Sequence, residues 1–223
     1  ETYSVKWKAN GNSWVAGNAE VAIYYDNTGS GSNWQEIAPG TTKNYSDESY
    51  TWTVPGTVAA DLNNTNKIKI AQKVPANETD TEVASTGNFS ILGAITVTEP
   101  ETTDGWSVNT TETIKFTKKG ALQTVNFYYS ATGAAPWGAA LNGGTPVTIS
   151  ALTESPAGTY HWDWGIDVNE TLTVGKAGKI RIAAVTPAAQ ATANVEGLSA
   201  GFQVKGSITS VQVISDANGT DVV

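Results

Sequence analysis

Lys67-Ile-Lys-Ile70, followed by Phe89-Ser-Ile-Leu-Gly93, is a stretch that this chain contains twice. The second copy reads Lys179-Ile-Arg-Ile182, followed by Phe202-Gln-Val-Lys-Gly206. Further segments recur in the same order, at offsets from 103 to 113 residues. They are Tyr24-Tyr25 with Trp34 and Tyr128-Tyr129 with Trp137; Tyr50-Thr-Trp-Thr-Val-Pro55 and Tyr160-His-Trp-Asp-Trp164; and Val5-Lys-Trp7 and Ile114-Lys-Phe116. The offset changes only by lengths typical of loops. A repeat of this period predicts two tandem domains.

The repeated segments have the composition of β-strands. Val21-Ala-Ile-Tyr-Tyr25 and Val125-Asn-Phe-Tyr-Tyr129 are short and rich in β-branched and aromatic residues. Clusters of turn-forming residues, such as Asp26-Asn-Thr-Gly29 and Asn142-Gly-Gly144, bound them. This pattern predicts an all-β chain of two antiparallel β-sandwiches in series.

The two copies differ at their beginnings. A segment containing Ile95-Thr-Val97 leads into the second copy, whereas the first copy begins at the strand that contains Val5. The predicted division is a first sandwich lacking its own first strand (1–93), a second sandwich (94–206) and a tail strand (207–223). Joining Gly206 of one chain to Val5 of another would leave a connection about as long as the internal one. We therefore expect the chain to be one period of something longer, which its lack of Met also favours.

The core positions resemble a known family of domains. The order Ile95-x-Val-x-x-Pro100, Trp106-x-Val108, Ile114-x-Phe116 and Val125-x-Phe-Tyr-Tyr-Ser130 is similar to the immunoglobulin-like domain of Ser/Thr-rich, GPI-anchored fungal cell-wall proteins. Similar repeats occur in long prokaryotic surface proteins. The resemblance implies an immunoglobulin-like sandwich in an extracellular or cell-surface protein. The second copy departs from it at Trp164-Gly165, where the first has Val54-Pro55.

The ends of the chain suggest how it functions. A sandwich without its first strand leaves one sheet edge unpaired, and unpaired edges bind other strands. The tail carries Ile208, Val211, Val213 and Ile214 among polar residues, as a strand without a domain of its own would. We predict that this assembly strand completes the next unit by donor-strand addition. The function expected is a structural subunit or repeat of an extracellular filament, stalk or surface fibre, its partner being itself. A continuous tandem array would have the same geometry.

Composition argues against several other classes of function. The net charge of −8 disfavours nucleic acid, whose phosphates require clustered Lys and Arg. No apolar run reaches the roughly 20 residues that span a bilayer. There is no Cys, and the single His161 is matched by Thr51 in the first copy, which disfavours a shared catalytic role. We expect no enzyme activity, no catalytic residue and no cofactor.

Three further possibilities remain open at this stage. Trp34 and Trp137 could form sugar-stacking platforms, so a cell-surface adhesin or carbohydrate-binding module that binds a cell-surface glycan is the alternative function. Asp216, Asn218 and Asp221 form a calcium candidate, because hard cations bind carboxylate and amide oxygens. Sequons favour a glycosylated exterior protein. The candidate sites are Asn44, Asn63, Asn77, Asn88, Asn109, Asn169 and Asn218.

Overall fold

Almost all of the regular secondary structure among the described residues is β-strand. The computed structural model describes residues 2–8, 20–37, 39, 43–54, 62–72, 82–85, 87–208, 214–215 and 221–222. The strands up to Gly93 are β1 Thr2–Lys6, β2 Glu20–Asp26, β3 Gln35–Glu36, β4 Lys43–Asn44, β5 Ser49–Thr53, β6 Lys67–Gln72 and β7 Glu82–Ala84. Those that follow are β8 Ala94–Glu99, β9 Gly105–Ser107, β10 Thr111–Lys119, β11 Thr124–Ser130, β12 Val147–Thr148, β13 Thr153–Glu154, β14 Thr159–Gly165, β15 Lys179–Thr186, β16 Glu196–Leu198, β17 Gln203–Lys205, β18 Ile214–Ser215 and β19 Asp221–Val222. Helix α1 is Ala188–Thr192, and 3-10 turns span Tyr45–Asp47 and Ile149–Ala151.

The second copy of the repeat is a two-layer antiparallel sandwich. One sheet has the strand order β13-β14-β10-β8 and the other β12-β11-β15-β16. A short parallel ladder joins β9 and β17. An immunoglobulin domain divides its strands in this way, with the first, second, fifth and fourth in one sheet and the third, sixth and seventh in the other. The predicted immunoglobulin-like fold is confirmed by this strand order.

Aromatic side chains fill the space between the two sheets of the second copy. Phe116 on β10 packs against Phe127 on β11, with ring centroids 5.9 Å apart. Trp162 stacks on Phe127 at 4.3 Å, and Trp164 packs on Tyr129 at 5.1 Å. Alternate residues of each strand face this core, because successive side chains of a strand point to opposite sides.

The first copy repeats this plan, with fewer strands among its described residues. Strand β1 pairs with β5, and the facing sheet has the order β3-β2-β6-β7, with β4 also pairing with β2. Tyr25 on β2 packs against Trp52 on β5, with ring centroids 5.5 Å apart. Among the described residues, no strand of the first copy occupies the place that β8 has in the second.

The strand registers correct one detail of the predicted repeat. Val5 is opposite Tyr50 on β5, whereas Ile114 is opposite Trp162 on β14. Trp52 therefore corresponds to Trp164, and both pack on the second tyrosine of the Tyr-Tyr pair. The predicted match of Trp52 with Trp162 is wrong by two residues, because Tyr-x-Trp and Trp-x-Trp have the same alternating pattern.

One glycine recurs because its turn requires it. Gly29 has φ +69° and Gly133 φ +71°, the left-handed region that glycine adopts without steric cost. A Cβ at either position would also collide with a backbone carbonyl oxygen, that of Thr65 or of Ala177. The turn after the Tyr-Tyr strand thus packs closely against the loop that precedes β6 or β15.

Candidate assembly interface

Strand β8 shows how a first strand completes a sandwich of this chain. It runs antiparallel to β10, with Ile95 opposite Lys118 and Val97 opposite Phe116. Ile95 is only 6% exposed, and Val97 packs against the core. Glu99 accepts a hydrogen bond from Lys115 Nζ at 2.6 Å, an ion pair across the same two strands. The strand contributes buried apolar side chains, a backbone ladder and a charge pair.

Strand β1 corresponds to β10 but has a described ladder on one side only. Its described ladder is the one with β5, whereas β10 has described ladders with both β14 and β8. Val5 and Trp7 are half-buried, whereas their counterparts Ile114 and Phe116 are fully buried. The core face of this strand is therefore less buried in the first copy than in the second.

In the tail, the sequence counterpart of Ile95 is exposed. Ile208 follows Gly206 by two residues, as Ile95 follows Gly93, but it is 87% exposed. Val211 and Val213 lie outside the described residues. Ile214 is in β18, which pairs with β19 as a short antiparallel ladder. The predicted assembly strand thus has one exposed apolar residue, two undescribed ones and one whose backbone pairs within the tail.

The connection between the copies is held by a residue that the sequence did not single out. Gln190 on α1 is 0% exposed; its Oε1 accepts a hydrogen bond from the Gly93 N–H at 2.6 Å, and its Nε2 donates to the Ile91 carbonyl at 3.1 Å. The Ile91 N–H in turn donates to the Asn63 carbonyl at 2.9 Å, within the first copy. Ile91 is therefore bound on both sides of the junction. The Ala-rich sequence around Gln190 does not predict this contact, because nothing local marks a glutamine as buried.

The buried side chains of the two copies form one contiguous apolar cluster. Ile91 is 5% exposed, and Gly93 approaches Leu122 so closely that a Cβ would lie 2.8 Å from Leu122 Cδ2. A larger side chain at position 93 would therefore have to displace buried neighbours.

Trp34 and Trp137 lie at equivalent places, each with a cation over its ring. Lys69 Nζ lies 5.0 Å from the ring centroid of Trp34 and 5.1 Å from that of Tyr24. The Arg181 guanidinium carbon lies 5.2 Å from the centroid of Trp137 and 4.4 Å from that of Tyr128. Arg181 Nη1 also bonds Glu196 Oε2 at 3.3 Å. In both copies the tryptophan packs on a Tyr–cation pair of its own sheet.

The turn that carries Trp34 is organised by the carboxylate of Asp26. Its Oδ1 accepts hydrogen bonds from Thr28 N–H at 2.7 Å and Oγ1 at 2.6 Å, and its Oδ2 one from Gly31 N–H at 2.6 Å. Burial alone would raise the pKa of Asp26, but these hydrogen bonds lower it from 3.8 to about 2. Trp34 Nε1 donates to the Gly31 carbonyl at 2.8 Å, which ties the indole to the same turn.

The other predicted sites are spread over the surface or lie outside the description. In the calcium candidate, Asp216 and Asn218 are not among the described residues, and only the backbone of Asp221 is described. The described residues contain no cluster of three or more His, Asp and Glu that could hold a metal ion. Asn44, Asn88, Asn109 and Asn169 are exposed, whereas Asn77 and Asn218 lie outside the description. Asn63 is half-buried, and its Nδ2 donates to the Asn27 carbonyl at 2.7 Å.

The single histidine lies on a central strand of its sheet. His161 is half-buried on β14, opposite Lys115 on one side and Thr153 on the other. Asp163, on the same face, accepts a hydrogen bond from Thr113 Oγ1 at 2.7 Å.

Among the described helices, none is both long and apolar enough to cross a bilayer.

Comparisons with known proteins place the chain in no family. No model of a protein family matches, and no curated protein matches. A structure of fibronectin(III)-like modules of Clostridium thermocellum CbhA is 12% identical at TM-score 0.33, over 97% of this chain and 92% of that one. A chimeric titin Z1Z2-Z1Z2 tandem is 13% identical at TM-score 0.27, over 92% and 91%. Since both TM-scores are low, the fold assignment rests on the strand order and ladders of the chain itself.

Proposed function

We propose that the chain is a structural subunit or repeat of an extracellular filament, stalk or surface fibre. Units join end to end, by strand complementation between separate chains or as neighbours in a continuous tandem array. The observation that carries the proposal is the difference between β1, which has one described neighbour, and β10, which has two. The tail segment around Ile208 is the proposed strand, and the edge of β1 is its proposed site.

Burial of apolar side chains would favour such a junction. The tail provides Ile208, Val211, Val213 and Ile214. Along a regular strand, Ile208 and Ile214 share one face, and Val211 and Val213 share the other. Burying an aliphatic side chain contributes about 1.5–3 kcal/mol, so the two on the core face would contribute roughly 3–6 kcal/mol before ordering costs. Backbone hydrogen bonds to the free edge would add specificity of register, as in other cases of strand addition. Two consecutive sandwiches per unit, joined by a packed internal connection, suit a spacer whose function is mechanical.

The alternative of a carbohydrate-binding module has less support. Stacking of a sugar requires a free indole face. Lys69 lies over one face of Trp34, and Arg181 lies over one face of Trp137, so each indole has at most one face for a sugar. The recurrence of the same Tyr–cation–Trp arrangement in both copies supports a packing role. A glycan-binding function would predict saturable binding that Trp34→Ala or Trp137→Ala abolishes.

The test measures the association of the purified chain by sedimentation velocity and electron microscopy across a concentration series. We expect concentration-dependent linear oligomers. Ile208→Asp should abolish them, because a carboxylate cannot be buried at this position without a large desolvation cost. Leu198→Asp is the matched control, since Leu198 is an exposed residue of β16. A wild-type chain that stays monomeric at every concentration would refute strand complementation between separate chains.

A further inference from the structure

The segment that leads into the second sandwich contributes two strands to it, β8 and β9. Strand β9 runs parallel to β17, with Ser107 opposite Lys205. The Lys205 carbonyl accepts a hydrogen bond from the Val108 N–H at 3.0 Å. Trp106 is 7% exposed and packs on Phe202, with ring centroids 4.9 Å apart. The second sandwich is therefore completed by a ladder at β17 as well as by the ladder of β8 with β10.

In the first copy, the place of β17 is held by Ser90–Leu92. Phe89 and Phe202 each form the isolated bridge that comes directly before this segment. Leu92 therefore corresponds to Lys205, whose carbonyl is bonded to β9 in the second copy.

The backbone of this segment is hydrogen-bonded on one side. The Ile91 N–H donates to the Asn63 carbonyl at 2.9 Å, and the Ile91 carbonyl accepts from Gln190 Nε2 at 3.1 Å. Ser90 and Leu92 make no backbone hydrogen bond to any described residue. Neighbouring residues of an extended segment direct their backbone groups to opposite sides. The groups of Ser90 and Leu92 thus face the side on which β9 lies in the second copy.

The side chains along this edge are apolar and partly uncovered. Leu92 is 50% exposed, and Phe89 is half-buried, whereas Phe202 is 0% exposed. In the second copy the Lys205 side chain crosses β9, because a Cβ at Gly105 would lie 2.5 Å from Lys205 Cε. A strand added in the same place would lie beneath Leu92 and bury it.

The tail repeats the sequence of β9. Asp104-Gly-Trp-Ser-Val108 is matched by Asn218-Gly-Thr-Asp-Val222. The glycine of this motif lies 12 residues after Gly93 in the internal segment and 13 residues after Gly206 in the tail. The tail therefore carries counterparts of both strands that complete the second sandwich.

The one large difference between the two motifs agrees with the packing of the first copy. Trp106 packs against Trp164 in the second copy, with ring centroids 6.2 Å apart. In the first copy Phe89 packs directly against Trp52, the counterpart of Trp164, at 6.0 Å. Thr220 stands at the place of Trp106 and needs less room beside these two rings.

We infer that Asp221–Val222 of another copy pairs with Ser90–Leu92 as a parallel strand. Asp221 lies opposite Leu92, whose carbonyl accepts a hydrogen bond from the Val222 N–H, in the register of the ladder between β17 and β9. The inference rests on the proposed end-to-end assembly and adds a second ladder to it.

The free chain holds the same residues in a competing ladder. Strand β19 pairs with β18, with Val222 opposite Ile214 and Asp221 opposite Ser215. A two-stranded hairpin by itself is marginally stable in water. Exchange of β18 for the edge at Leu92 also releases Ile214, which belongs to the proposed assembly strand.

Disulfide trapping tests the register, since the chain contains no Cys. Leu92→Cys and Asp221→Cys are made in separate chains and mixed, so that a disulfide between the two positions joins two copies. Adjacent strands lie about 4.8 Å apart, which is within the Cα separation of about 4.4–6.8 Å that a disulfide spans. Leu198→Cys mixed with Asp221→Cys is the matched control, because Leu198 is 45% exposed and Leu92 50%. We expect at least about tenfold more of the mixed disulfide from Leu92→Cys than from the control, as measured by peptide mapping, because pairing raises the local concentration.

The outcomes distinguish this inference from the proposed function. Equal yields from the two mixtures would mean that the disulfides arise from random collisions, and the ladder would be wrong. If the wild type forms linear oligomers and Leu92→Cys gives no mixed disulfide, the ladder is wrong while end-to-end assembly survives. If the wild type never associates, the proposed assembly fails, and this ladder fails with it.

Discussion

Among the described carboxyl groups, Asp26 is the one whose pKa folding clearly lowers, so its ionised form stabilises the fold. Its folded pKa of about 2 lies below the ordinary 3.8, so its stabilising effect is fully present above pH 3.8 and is lost as the pH falls through 2. The difference corresponds to about 2 kcal/mol. We expect Asp26→Asn to lower the free energy of unfolding by about that amount at pH 7 and by much less at pH 2. Urea titrations at both pH values measure this.

The contrary result for Asp26 is also informative. An equal deficit at pH 7 and pH 2 would mean that the variant disturbs the turn by its shape, with no contribution from the charge. Glu101, an exposed carboxylate, provides a control, because Glu101→Gln should leave stability unchanged at both pH values.

Single residues also show where sequence reasoning reaches its limit. The alternation in Tyr50-Thr-Trp52 predicts correctly that Trp52 is buried. The same rule cannot choose between Trp162 and Trp164 as its counterpart, because both have the same parity on β14. Gln190 and the cations over Trp34 and Trp137 depend on contacts between distant segments, and no local pattern encodes those contacts.

Helix α1 is an element whose effect extends beyond its own sandwich. Gln190→Ala removes both hydrogen bonds to the connection and leaves the Ile91 carbonyl and Gly93 N–H without partners. Buried groups left unpaired cost about 1–3 kcal/mol each. We expect a lower free energy of unfolding and a broader distribution of distances between spin labels placed in the two sandwiches. Gln123→Ala, at an exposed glutamine, should change neither.

Strand β1 allows a test of which of its edges is free. The Trp7 N–H donates to the Glu48 carbonyl, so by the alternation of an antiparallel ladder the Val5 N–H faces β5 and the Lys6 N–H faces the other edge. Lys6→Pro removes a donor only from the free edge, where proline is tolerated. We expect it to block end-to-end association and to leave the unfolding temperature nearly unchanged. Val5→Pro should lower that temperature, since it breaks the ladder with β5.

Two outcomes would contradict the proposed site on β1. If Lys6→Pro associates normally, added strands do not bind this edge, and the proposed site is misplaced. If Lys6→Pro and Val5→Pro destabilise the chain equally, the free edge of β1 is already paired within the chain.

At the scale of the whole molecule, the repeat made the architecture predictable. Two copies of each core segment define the strands twice, and the loop differences between copies mark where strands end. The sequence therefore predicted the class of fold, and the strand order confirmed it. The division at residues 93 and 206, the assembly strand and the sequons stay predictions, because they concern connections and partners that a single chain does not contain.

The net charge of the chain gives a last prediction about assembly. Each chain carries −8, so chains that join end to end repel one another, while the proposed contact consists of apolar side chains and backbone hydrogen bonds. Raising the ionic strength from about 0.01 M to about 0.15 M shortens the Debye length from about 30 Å to about 8 Å. This weakens the repulsion and leaves the contact intact, so oligomers of the isolated chain should lengthen. Light scattering across a salt series measures the change. Oligomers that dissociate as salt rises would mean that charge pairs hold the chains together, and the proposed apolar contact would then be wrong.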